Sequence, residues 1–347
     1  MAATSYGVND ALAVKLWSKM LSVEALKKTY VFKFMGNSPD SLIHIKTETS
    51  KSAGDKVTFG LRMLPTGDGV LGDGTLEGNE ESISTYSDAV LIDQLRHAHR
   101  VGGRMSEQRV PFDIRAECKD SLSDWFAGRI DTAFANQVAG KTDIVDTRYC
   151  GANATIAPSL FAYPNSRTAE SQITSADPFT LTQIDKAVEK ARTVSPMIRP
   201  IKVDGEDKYV VFLHDYQVTS LRTNTTTGQW FDISSKAMMG GQVKDNPIYN
   251  GALGEYNGCI IHRWNRVPAT PTSVVANARR AVLCGAQAVT MAFGQDSGPS
   301  KFTWVEKLFD YDNQFGTSAG TIFGMKKTVF NSVDFGVVVM PSYAVAS

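Results

Sequence analysis

The spacing of apolar positions changes period several times along this chain, and each change marks an expected element. Near the start, Leu12, Leu16, Met20 and Val23 recur at steps of three and four, which predicts a helix capped by Asn9 or Asp10. Gly36, Asn37, Ser38 and Pro39 then break it. The stripe is short, so a helix carrying this face alone needs a further surface to cover it. The period next falls to two. Ile43, Ile45, Thr47 and Thr49 alternate with polar residues, and Val57, Phe59, Leu61 and Met63 alternate with Lys56, Thr58, Gly60 and Arg62. A glycine-rich acidic segment, Pro65 to Glu81, separates this run from a returning β-branched and aromatic run, Ile83 to Val101. Two strands joined by so long a polar tip predict an extended hairpin. Such an arm cannot bury both faces against its own domain, and reaching another subunit is the use it suits.

From Pro111 the pattern becomes helical. Pro111 suits the first helical position, and Asp113, Glu117 and Asp120 favour its positive end. Leu122, Trp125, Phe126, Ile130, Phe134 and Val138 form one broad stripe, and Gly140 suits the C′ position. At ~1.5 Å per residue the helix 111–139 would be on the order of 40 Å long. Residues 141–177 read as loop, Thr180 to Thr193 as a helix, and Tyr209 to Leu213 as a buried strand leading into a short helix ending near Arg222. Thr223 to Lys244 is a polar stretch, Arg279 to Phe293 is rich in small residues suited to close packing, and the alternation of Val329, Val333, Phe335, Val337 and Val339 predicts a final strand over 328–340. The expected organisation is an arm over 1–40, a hairpin over 41–98, a segment 99–177 holding the long helix, a mixed α/β segment 178–325, and a C-terminal strand within 326–347.

Composition narrows the class. Apolar residues make up 42% and charged residues 21% of 347, the profile of a folded chain of two ordinary domains. No run approaches the roughly 20 apolar residues of a membrane span, and the first residues lack a signal-peptide pattern, so folding in a cytoplasm is expected. Cys118, Cys150, Cys259 and Cys284 are scattered without metal-ligand spacing and read as small buried hydrophobes. Lysine plus arginine equals aspartate plus glutamate at 36 each. Proteins that grip nucleic acid through phosphates carry a basic excess, which is missing here. Neutrality permits many copies to pack side by side.

Motifs with chemical meaning are weak. Gly67-Asp68-Gly69-Val70-Leu71-Gly72 matches the dinucleotide fingerprint in letters, but carboxylates crowd it and a strand follows it. Gly140-Lys141-Thr142 resembles the end of a phosphate loop, yet Ala135 stands where the first glycine should be. His97 and His99 share a strand face with Leu95 and Val101, which favours a packed pair over half a metal site. Asp310 and Asp312 flank Tyr311, as in a turn. No catalytic constellation, cofactor motif or nucleophile elbow is present in the sequence. The charge pattern says more. The hairpin tip carries Asp68, Asp73, Glu77 and Glu80, while Arg96, Arg100, Arg104 and Arg109 crowd the segment before the long helix. Docking of the acidic tip on the basic segment of an adjacent subunit is the expected contact, with ion pairs setting register more than affinity.

Several segments carry a resemblance. Gly54-Asp55-Lys56-Val57-Thr58-Phe59, Gly72 through Glu80, Asp93-Gln94-Leu95-Arg96-His97, Gly103 through Arg109, Gly251 through Gly258, and Phe309-Asp310-Tyr311 resemble, in order, the tailed-bacteriophage major capsid proteins. The resemblance implies an α+β chain with the Hong Kong-type capsid fold: an N-terminal arm, an extended E-loop, a peripheral domain with a spine helix, an axial domain, and a C-terminal strand returning to the peripheral domain. It implies a virion protein, assembled in the host cytoplasm, that forms hexamers and pentamers around double-stranded DNA without reading its sequence. A portal protein, a cement protein and a separate scaffolding protein are the implied partners, the last because only about forty residues without heptads precede the hairpin. An encapsulin-like compartment protein and a soluble nucleotide-binding module are the alternatives; copurified cargo protein or a nucleotide-binding monomer would distinguish them.

Overall fold

Two six-stranded sheets share one apolar core, with a long helix laid across both. The computed structural model describes residues 11–46, 56–62, 67, 69–83, 85–143, 156–203, 205–226, 254–271, 275, 277–294 and 301–346. The expected cap at Asn9 or Asp10, Thr47, Thr49, Asp68, Cys150 and most of the polar stretch before Lys244 lie outside the described residues.

The chain runs through α1 (Ala11–Lys28), a 3-10 turn (Tyr30–Phe34), β1 (Met35–Gly36) and β2 (Ile43–Lys46). β3 (Lys56–Arg62) and β4 (Thr85–Leu91) form the hairpin, antiparallel from Lys56↔Leu91 to Arg62↔Thr85. β5 (Asp93–Arg100) and the short α2 (Arg104–Gln108) lead to α3 (Ile114–Ala139). This helix begins at Ile114 and not at Pro111, because the Asp113 side chain accepts the Arg115 N–H at 2.9 Å and fixes the cap there. Gly140 ends it in the left-handed region, φ 60 and ψ 42, as its position predicts. Next come α4 (Leu181–Thr193), β6 (Ile201–Val203), β7 (Glu206–Leu213), α5 (Asp215–Thr223), β8 (Glu255–Tyr256) and β9 (Cys259–Arg263). The remainder is β-structure: β10 (Ala278–Cys284), β11 (Val289–Phe293), β12 (Thr303–Phe309), β13 (Gln314–Lys327), β14 (Val329–Phe330), β15 (Val333–Asp334) and β16 (Val337–Tyr343).

The first sheet has the order β1-β2-β11-β13-β12, with β5 pairing β13 from Asp93↔Phe323 to Arg100↔Gly316. The second has the order β16-β10-β7-β9-β8, with β6 added at β7. The strands of 178–325 are therefore divided between the sheets, and β16 joins the second sheet through seven pairs with β10. Between β10 and β11 the chain passes from one sheet to the other. Gly285 is needed at that crossing, since a Cβ there would lie 2.5 Å from the Arg199 carbonyl oxygen. The small residues expected to permit close packing serve this passage. The expected final strand is three pieces, because Asn331 and Ser332, at φ 49 and 61, make a tight turn between β14 and β15.

The α3 stripe is buried as its spacing predicts: Leu122, Phe126, Ile130, Phe134 and Val138 are all 2% exposed or less. Phe126 meets Phe302 beside the first sheet at 5.0 Å, and Phe134 meets Phe212 in the second at 5.7 Å. Burial of these five side chains stabilises the docked helix by on the order of 10 kcal/mol before entropy. α1 differs from expectation. It buries Ser18, Leu21, Ser22 and Ala25, while Met20 and Val23 of the expected stripe are exposed.

Candidate inter-subunit surfaces

The hairpin is fixed at its base. Val57, Phe59 and Val90 pack with Ala292 into a small apolar cluster closed by Ile92. Gly324 of β13 lies under β4, where any Cβ would overlap the Leu91 carbonyl oxygen. Asp88 accepts the Lys326 ammonium at 2.6 Å and the Val329 N–H at 3.1 Å. β3 and β4 are thereby anchored to the body at their base, and the described tip beyond them is exposed.

The described tip is polar, acidic and solvent-facing, but it also presents apolar side chains. Leu71, Leu76 and Ile83 are 90%, 62% and 71% exposed. Asp73, Glu77 and Glu80 are exposed beside them. Glu80 accepts the Gly78 N–H at 2.7 Å and Glu81 the Gly67 N–H at 2.8 Å, so part of the acidity shapes the turn. The glycines of the dinucleotide-like motif belong to this tip, which leads into β4 and offers no helix N-terminus to a pyrophosphate.

The four arginines are dispersed over different surroundings. In β5 Leu95, His97 and His99 turn toward α3, and Arg96 and Arg100 turn outward. His97 stacks on Trp125 at 4.5 Å, and His99 meets the Ser121 hydroxyl at 3.2 Å, so the pair is a packing face. Burial, reinforced by His97, pushes the His99 pKa down. Arg100 lies over the Phe309 ring at 4.4 Å and donates to Gln314. Arg104 borders a cleft of about 370 Å³ that also holds Glu107, Asp113, Arg115 and Asp312. Its cationic character is offset there by three carboxylates, and Arg115 is paired with Glu306. Arg109 is exposed after α2. Among the described residues no hydrogen bond or ion pair joins Asp73, Glu77 or Glu80 to any of these arginines within one chain.

Two further surface features stand out, and the turn around Tyr311 is one that the flanking aspartates suggested. The β12–β13 turn holds Asp310, Tyr311 and Asp312 at φ 51, 50 and 64, a left-handed run that displays a fully exposed Tyr311. The other is the outward face of α1, where Lys19 and Lys27 flank Met20 and Val23. Its signal was the stripe itself, whose described side chains, Met20 and Val23, do not face the core.

The buried titratable groups are structural. Burial raises the Cys259 thiol to about 12, and the same cause raises Cys118 and Cys284, so these thiols behave as hydrophobes. His214 caps α5 by accepting the Tyr216 N–H at 3.1 Å. Among the described residues no helix is long and apolar enough to cross a membrane.

Comparison with known proteins agrees with this architecture. The phage capsid protein family matches residues 5–346. The chain is 28% identical to the major capsid protein of Pseudomonas phage KPP25, over 93% of each chain. It is 32% identical to the capsid protein of Ralstonia phage GP4, with a TM-score of 0.79 and 99% of each chain covered. The capsid protein of cyanophage Pam1 shares the fold at 19% identity, with a TM-score of 0.73 over 93% of this chain and 94% of that one. A helix spanning two sheets, a projecting hairpin and a match from end to end place this chain in the phage capsid protein family, with the Hong Kong-type capsid fold.

Proposed function

We propose that this protein is a major capsid protein whose copies assemble, as hexamers and pentamers, into the icosahedral shell that encloses phage double-stranded DNA. The observation that carries this reading is the full-length family match, on a chain whose hairpin extends exposed leucines away from its own core. An open subunit of this kind gains part of its stability from neighbours. In this reading β3 and β4 form the E-loop, α3 with the first sheet forms the peripheral domain, and β7 with its partner strands forms the axial domain, so that β11–β13 of the expected axial segment go to the peripheral domain and β16, expected to return there, goes to the axial sheet. The acidic tip meets a neighbouring copy. The role is architectural, with no reaction assigned to it. A separate scaffolding protein, a portal protein and a cement protein are the proposed partners, and host cytoplasm is the proposed place of assembly. Negative-stain electron microscopy of the protein alone, and then with the scaffolding protein, tests the proposal. Closed shells or capsomer rings are expected; a uniform monomer under both conditions would overturn it.

A further inference from the structure

α1 is apolar on two sides. At 100° per residue, Lys19, Val23, Lys27 and Met20 fall within an arc of about 100°. Ser18, Leu21, Ser22 and Ala25 lie on the opposite side and are buried against α3 and the strand β12. The outward arc leaves Met20 and Val23 at 39% and 43% exposed. The helix holds four lysines and one carboxylate, and that carboxylate, Glu24, is engaged by Lys119 of α3 at 2.9 Å. Lys28 is likewise turned to Asp124, at 2.9 Å. What faces solvent is thus a surface on which Val23 and Met20 are interleaved with Lys19 and Lys27.

The complementary surface belongs to the same chain. Residues 69–83 contain Asp73, Glu77, Glu80 and Glu81 and no lysine or arginine, with Leu71, Leu76 and Ile83 exposed among them. Those exposures show that the tip does not lie on its own α1. The arginine segment is a poorer receiver, since Arg100 is already placed on Phe309 and Arg104 sits among carboxylates. We propose that the hairpin tip of one copy seats Leu71 and Leu76 on Met20 and Val23 of α1 in an adjacent copy, with Lys19 and Lys27 meeting its carboxylates. This rests on the shell-forming reading and names the receiving surface of its hairpin contact. Desolvation of Met20 and Val23 supplies affinity, and the lysines set the register of a tip whose base is anchored by Asp88 and the Val57–Val90 cluster.

Cysteine pairing tests the seat directly in assembled particles. Val23→Cys with Leu76→Cys should give covalent multimers on mild oxidation, whereas Arg96→Cys with Leu76→Cys should not. The three described native cysteines are buried and give a low background. In parallel, Met20→Ser with Val23→Ser should raise the subunit concentration at which shells form by roughly tenfold or more, while the monomer keeps its far-ultraviolet circular dichroism. Lys19→Glu with Lys27→Glu should block assembly, and adding Asp73→Lys with Glu77→Lys should restore it. Cross-linking through residue 96 and not 23, or normal assembly of the α1 variants, would overturn the proposal and leave the shell reading intact. Failure of the unmodified chain to form shells under any condition would remove both.

Discussion

Glu170→Ala isolates a buried cation. Arg280 on β10 is 6% exposed and Glu170 8%, and the guanidinium forks onto the carboxylate through two bonds of 2.7 Å. Its Nη1 also donates to the Ala139 and Gly140 carbonyl oxygens at 2.9 and 2.8 Å. These acceptors close the C-terminal end of α3, where carbonyls lack helical partners and the dipole is negative. One side chain therefore ties the long helix to the second sheet. A guanidinium does not shed its proton in a protein, so removing Glu170 leaves a charge with no counter-ion at this depth. Breaking such a pair costs about 3–5 kcal/mol. Domains of 150–250 residues lose roughly 2–4 °C per kcal/mol, so the melting midpoint should fall by on the order of 10 °C. Urea unfolding and thermal melts of the unassembled subunit measure this. Replacing both partners, Arg280→Met with Glu170→Leu, removes the isolated charge but strips the α3 carbonyls of their donors. The double variant should therefore lose less stability than Glu170→Ala alone, and less than the sum of its single changes. A loss below about 1 kcal/mol for Glu170→Ala, or strict additivity in the double variant, would refute the reasoning.

Two further outcomes follow from the same geometry. Burial, with Arg279 adding to it, lowers His214 to about 4, and burial with Lys33 lowers His262 to about 4. Unfolding returns each to its ordinary value near 6.5, so the unfolded chain binds more protons between those limits. The subunit should lose stability as pH falls from about 6.5 toward 4; His214→Asn, which keeps a capping acceptor, should flatten that fall in melts recorded across the window. Gly324→Val drives a side chain into the Leu91 carbonyl and the Val90 methyl, so the hairpin should come off the body. Limited proteolysis should then cut within 56–91 faster than in the unmodified protein; an unchanged cleavage pattern would show that β4 does not depend on the close approach.

The sequence disclosed elements whose apolar residues keep one unbroken period. The α3 stripe was legible because one broad face is buried along its whole length, and Asp113 and Gly140 mark its ends. The hairpin was legible in part: its period of two is unbroken through Val57, Phe59 and Leu61, but it spans β3 and β4 alone, because β2 and β5, expected within 41–98, pair with β11 and β13 in the first sheet. β13 was not foreseen, since Gly316, Gly320 and Gly324 dilute its alternation. Those glycines answer to contacts far away in sequence. Gly320 passes close to Arg96 of β5, and Gly324 passes under β4. The crossing at Gly285 was equally hidden, because β10 and β11 look alike in composition while belonging to different sheets.

The candidate contact divides in the same way. The acidity of the tip is local and could be read directly, whereas the character of the arginine segment depends on Asp312, Glu306 and Phe309, some two hundred residues further on. α1 fails in the opposite sense. Its stripe was correctly spaced, yet a period of 3.6 identifies a face without saying whether the molecule's own core or another copy covers it. In a chain that folds to assemble, both kinds of face are apolar, and burial in the monomer is what separates them. Met20 and Val23 are the residues on which that separation turns, because the hairpin base is fixed by Gly324 and Asp88. With the hairpin anchored at its base, the position of α1 on α3 sets where the tip of a neighbouring copy meets it. Ion pairs that position α1, such as Glu24 with Lys119, therefore bear on the contact without touching it.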